Sequence, residues 1–110
     1  MPIESKLESG NAVVSVSGRL VAGREVERLE ALVTEQLALN QKRFVLDMTG
    51  LDYTDSSGIG TIVSCLTKVK KAGGDIRLAG VNARIARMFK MTGVDSLMTM
   101  YPTLAEALAG

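Results

Sequence analysis

The sequence predicts an α/β domain built on a mixed, mostly parallel β-sheet with an antiparallel hairpin at one edge. Three observations predict it. Two stretches near the N-terminus alternate apolar with polar residues and flank a tight-turn signal. Beyond them, short apolar runs alternate with longer stretches whose apolar residues recur every three or four positions. No internal repeat or long linker interrupts that alternation, so the 110 residues are expected to form one domain, 1–110. Strands that alternate with helices are joined by crossovers, and crossovers make parallel sheets. The expected order is β-β-α-β-α-β-α-β-α.

Taken in order, Ile3 to Leu7 alternates weakly and predicts an edge strand, and Ser9-Gly10-Asn11 predicts a turn. Val14 and Val16 alternate with Ser15 and Ser17, which completes a hairpin. Gly23 precedes a helical pattern of Val26, Leu29, Leu32, Val33 and Leu37, with Glu25, Glu27 and Glu30 in its early turns, where negative charge suits the helix dipole. Asn40 is the expected stop. Phe44-Val45-Leu46 is a short continuous apolar run, the mark of a central strand covered on both faces.

A second helix follows through Ile59, Ile62, Val63, Leu66 and Val69. Lys68, Lys70 and Lys71 occupy its last turns and Gly73-Gly74 ends it. Asp75 to Ala79 predicts a strand, and Asn82 a cap for a third helix through Ile85, Met88 and Phe89, with Gly93 past its end. Leu97 to Tyr101 predicts a last strand, and Pro102 opens a final helix through Leu104, Ala107 and Leu108.

Composition excludes several function classes. The chain has no histidine, which removes a Ser-His-Asp triad, a Cys-His pair and a His-rich zinc site. The residues point to no enzyme, no cofactor and no metal site; Asp47 and Asp52, close to the serine-rich stretch at 54–60, lack further ligands. Thirteen basic and twelve acidic residues leave a net charge of +1, and there is no Trp, so neither a basic field nor a stacking surface for nucleic acid is expected. No apolar run approaches the roughly 18 to 20 residues that span a bilayer, and MPIESKLESG lacks the pattern of a signal peptide, so a cytoplasmic protein without membrane insertion is expected. The single cysteine, Cys65, falls on or near the apolar helix face and is expected to be a buried thiol.

The segment TDSSGIG, Thr54 to Gly60, joins an apolar strand to an apolar helix. Two readings of it stand. Asp55, Ser56 or Ser57 caps the helix, because each side-chain oxygen can take up an orphan backbone N–H. Alternatively, a serine hydroxyl is displayed at a helix N-terminus for modification, with Gly58 and Gly60 clearing side chains from the approach of a large partner. The loop lacks the lysine of a phosphate-binding Walker loop and the G-x-S-x-G of a nucleophile elbow, so its serine reads as a substrate and not as a catalyst.

Three stretches carry a resemblance to a known family: Asp55-Ser56-Ser57-Gly58-Ile59-Gly60, the strand entry Lys71-Ala72-Gly73-Gly74-Asp75-Ile76-Arg77-Leu78, and the stretch from Arg84 or Arg87 that ends in Thr92-Gly93-Val94. In this order and spacing the chain resembles the anti-sigma factor antagonists, the STAS domain family, over nearly its whole length. The resemblance implies a STAS-like fold and a partner-switching protein. In that family the unmodified antagonist binds an anti-sigma factor that is also a serine kinase, which frees sigma factor. The kinase uses its own ATP to phosphorylate the serine after the aspartate, and a PP2C-type phosphatase resets the system. The matching serine is Ser56, with Ser57 as the neighbouring fallback, and Asp55, Ser56, Ser57, Gly58, Ile59 and Gly60 are the implied partner-binding residues.

The sequence departs from the family at Gly18-Arg19-Leu20-Val21, where valine replaces a usual acidic residue on the partner-facing side. That leaves room for an alternative: a stand-alone STAS scaffold, or an accessory subunit of an ABC-type membrane transporter, with no serine modified. Two further features stay open. Arg84, Arg87 and Lys90 recur every three residues, as a solvated stripe or a docking surface, and Met88, Met91, Met98 and Met100 read as core filling or as an adaptable interface. Oligomeric state is open between monomer and weak dimer.

Overall fold

The computed structural model describes residues 3–110. Its elements are β1 (Ile3–Glu8), β2 (Asn11–Val16), β3 (Gly18–Leu20), α1 (Arg24–Ala38), β4 (Arg43–Asp47), β5 (Leu51–Thr54), α2 (Ser56–Lys71), β6 (Asp75–Ala79), α3 (Ala83–Met91), a 3₁₀ turn (Asp95–Leu97), β7 (Met100–Tyr101) and α4 (Leu104–Ala109). The main sheet runs β1-β2-β4-β6-β7. β1 is antiparallel to β2 and every other pairing is parallel, as the hairpin and the alternation of strands with helices require. The turn between β1 and β2 has positive φ at both Ser9 (52°) and Gly10 (78°), the backbone twist that closes a two-residue hairpin.

Alternation along the strands sorts the core into two layers. Ala12, Val14, Phe44, Leu46, Ile76 and Leu78 face α1, α2 and α3, whose Leu29, Val33, Ile62, Val69, Ile85 and Phe89 complete the main core. Val13, Val45 and Ala79 face the other way and pack on Ala107 of α4. Phe44, Val45 and Leu46 are all at most 1% exposed, which confirms β4 as the central strand buried on both faces. Arg77 fastens α4 from the sheet: its Nη1 donates to the Ala107 carbonyl at 2.9 Å, near the helix C-terminus, where a cation is favoured. No helix among the described residues is long and apolar enough to cross a membrane.

Three details differ from the expected order. Two additional short strands, β3 and β5, pair in parallel with each other in a separate two-stranded ladder. Gly18, at φ 74°, turns the chain out of β2, and Gly18–Leu20 is too short to show a period. The predicted strand from Leu97 is shortened to Met100–Tyr101, because Asp95–Leu97 closes a 3₁₀ turn first. Pro102 precedes α4 without opening it; Thr103 is the cap, its hydroxyl accepting the Glu106 N–H at 3.2 Å. Of the late methionines, Met88 and Met98 pack against the core, whereas Met91 is 79% and Met100 38% exposed.

Candidate functional site

TDSSGIG spans the end of β5 and the first turn of α2. Its geometry divides the labour among neighbouring residues. Asp55 is the N-cap, in extended conformation, and its Oδ1 accepts the Gly58 N–H at 2.9 Å. Its Oδ2 accepts the Ala22 N–H at 3.4 Å, so the cap also ties α2 to the segment before α1. The Gly58 N–H above all, helped by the Ala22 and Ser57 N–H groups, holds the Asp55 carboxyl below its ordinary range. Beneath it, Thr54 is fully buried and its Oγ1 donates to the Leu20 carbonyl at 2.7 Å, which locks β5 to β3.

With Asp55 as the cap, neither serine is needed for that role. Ser56 and Ser57 are both exposed, and neither hydroxyl has a hydrogen-bond partner among the described residues. The two glycines differ in kind. A Cβ on Gly58 would collide with Thr54 Oγ1 and the Leu20 carbonyl, so the fold itself demands glycine there. A Cβ on Gly60 would meet nothing within 4 Å, and its φ lies outside the left-handed region. Glycine inside a helix costs about 1 kcal/mol relative to alanine, and at Gly60 no contact or strain within the chain offsets that cost.

Of the six residues singled out in the loop, Asp55, Ser56, Ser57 and Gly60 are thus accessible to a partner. Gly58 is buried and Ile59 is 6% exposed, and both serve to seat the turn on the core. Val21 is half-buried, between Leu20 and the Asp55-bound Ala22. Asp47 is engaged by Thr49, which donates to it through Oγ1 at 2.6 Å and through its N–H at 3.2 Å. Cys65 is buried on α2, its thiol pushed up to about 12 by burial and then by the Glu30 charge, which leaves it unreactive.

Sequence reasoning missed three contributors. Thr54 read only as the first residue of the stretch, with no role of its own, yet its buried hydroxyl fixes the floor of the turn. Arg19 and Tyr53 are register partners on β3 and β5, and the guanidinium lies 4.8 Å from the ring centroid beside the site. No periodicity links distant residues on strands this short.

Comparison with known proteins bears on the family and the fold. A family model described as the STAS domain matches residues 3–107. The anti-sigma F factor antagonist of Paenibacillus polymyxa is 27% identical over 109 residues, covering 98% of this chain and 92% of that protein. The anti-sigma-factor antagonist (STAS) domain protein from Planctomyces limnophilus shares the fold with a TM-score of 0.85 at 25% identity, over 97% of this chain and 95% of the other. The Bacillus cell fate determinant SpoIIAA, solved in its phosphorylated form, has the same fold, with a TM-score of 0.76 at 18% identity over 97% and 96% of the two chains.

Proposed function

The chain belongs to the STAS domain family, and on that premise we propose that it is a cytoplasmic anti-sigma factor antagonist switched by phosphorylation at Ser56. It acts by binding. In the unmodified state Ser56, Ser57 and Gly60 lie against an anti-sigma factor that is also a serine kinase, and sigma factor is released. Ser56 Oγ then attacks the γ-phosphorus of ATP held by that partner. The hydroxyl proton passes to a base of the kinase, the bond to the β-phosphate oxygen breaks, and ADP leaves. A PP2C-type phosphatase hydrolyses the phosphoserine and restores the binding form.

One observation carries this reading: Asp55 does the capping, so the adjacent serine hydroxyl stands exposed and unbonded on a rigid turn. The added phosphate brings about −1.5 to −2 charges next to Asp55. The helix N-terminus tolerates that charge within the chain. In a close interface it is desolvated and repelled by the aspartate, and a loss on the order of 2 to 3 kcal/mol weakens the complex roughly thirty- to more than a hundredfold. No refolding is needed.

Calorimetric binding to the host's anti-sigma factor kinase tests it. Ser56→Ala is expected to bind in the presence of ATP and stay bound, and Ser56→Asp to bind more weakly. Wild-type affinity in Ser56→Asp contradicts the electrostatic switch.

A further inference from the structure

Two features stand apart from the serine turn and meet at the far edge of the sheet. The first is a shallow apolar groove of about 260 Å³, lined by Val81, Ala86, Met100, Tyr101 and Pro102. It lies between α3 and β7, the last strand of the sheet. Met100 is 38% exposed there, so part of its apolar side chain faces solvent. The second is the cationic face of α3. Arg84, Arg87 and Lys90 are all exposed, none forms an ion pair among the described residues, and the helix carries no carboxylate.

Helix geometry joins the two. Lys90 follows the groove residue Ala86 by four positions and so lies on the same side of α3, and Arg87 precedes Lys90 by three, which sets both cations next to the groove without lining it. This arrangement is locally unfavourable. Arg84 sits in the first turn, against the dipole, and each cation has a like charge three residues away. Lys90, in the last turn, suits the dipole, whereas Arg84 and the two like-charge pairs do not.

We propose that this groove is a docking site for a short acidic segment of a partner protein, with apolar side chains for the groove and carboxylates for Arg87 and Lys90. The proposal is independent of modification at Ser56. A protein segment fits better than a lipid surface. Membrane recognition by charge uses clusters of about 4 to 8 basic residues, against the three here, and the apolar face that an interfacial helix would insert is spent in the core at Ile85 and Phe89, both 0% exposed. The groove holds one or two side chains, so the contact is weak and transient. Methionine at its mouth suits an adaptable contact of that kind.

The test is an amide-resolved NMR titration of the whole chain. The probe is a short, terminally blocked acidic peptide bearing two leucines, run beside the same peptide with lysines for its carboxylates and beside phosphatidylserine vesicles. The acidic peptide alone is expected to give saturable shifts centred on Val81, Ala86, Arg87, Met100 and Tyr101. Arg87→Glu with Lys90→Glu is expected to weaken binding about tenfold while the rest of the spectrum is unchanged. Met100→Ser is expected to weaken it with both cations intact. Equal binding of the lysine peptide, shifts scattered over the chain, no saturable shift, or a stronger response to vesicles than to peptide overturns the proposal.

Discussion

Asp55 and Asn82 begin α2 and α3 in the same way. Each accepts the N–H of the third residue on, at 2.9 and 2.8 Å, and each has a second backbone tie, from the Ala22 N–H to Asp55 and from the Asn82 side-chain amide to the Leu51 carbonyl. The capping chemistry is therefore common to both ends. The difference lies in the residues next to each cap and in the packing beneath it. After Asn82 come Ala83 and Arg84, with no reactive group to display except a cation set against the dipole. After Asp55 come two free hydroxyls, over a floor made rigid by Thr54 and by a glycine the packing demands. A cap marks where a helix starts; in the site proposed here it also leaves a reactive neighbour exposed.

The sharpest way to break that comparison is at the two glycines of α2. Gly58→Ala forces a methyl into Thr54 and the Leu20 carbonyl, and urea unfolding is expected to show a loss of about 1 to 3 kcal/mol or more. Gly60→Ala has open space, and the same measurement is expected to show a gain of about 0.5 to 1 kcal/mol, while partner binding falls. If Gly60→Ala leaves partner binding unchanged, the reading of that position as a place of close approach fails.

A smaller effect separates the two caps by pH. The folded state lowers the Asp55 pKa, chiefly through the Gly58 N–H, so this cap contributes stability at neutral pH that is lost as pH falls through the lowered folded value. Asp55→Asn keeps an acceptor oxygen but does not titrate. The stability difference between wild type and Asp55→Asn is expected to shrink below about pH 4. Asn82→Asp at the other cap is expected to install the same acid limb there. A pH-independent difference at Asp55 contradicts the carboxylate's role.

Much of this architecture was legible in the sequence because it rests on local, periodic signals. Leu29, Leu32 and Val33 recur at helical spacing, Ser9-Gly10 has the residues of a hairpin turn, and Asn82 and Gly93 bracket α3. What escaped depends on pairing between distant, short segments. β3 and β5 have too few residues for a period, and each exists because the other lies beside it. At the site, the serines and the aspartate were legible as residue types, but which of them caps was not. Asp, Ser and Thr all cap well, and Asp55 is tied in place from outside the motif, by the Ala22 N–H directly and by the Leu20 carbonyl through its neighbour Thr54.

The central claim is that capping by Asp55 leaves Ser56 free to be modified. The most direct test is intact-mass spectrometry of the chain purified from its own host across growth conditions, with the site located by fragmentation. The account predicts a partial population carrying one phosphate, on Ser56. An unmodified chain under every condition, or a phosphate located only elsewhere, would contradict it and leave the turn as the well-built start of a helix.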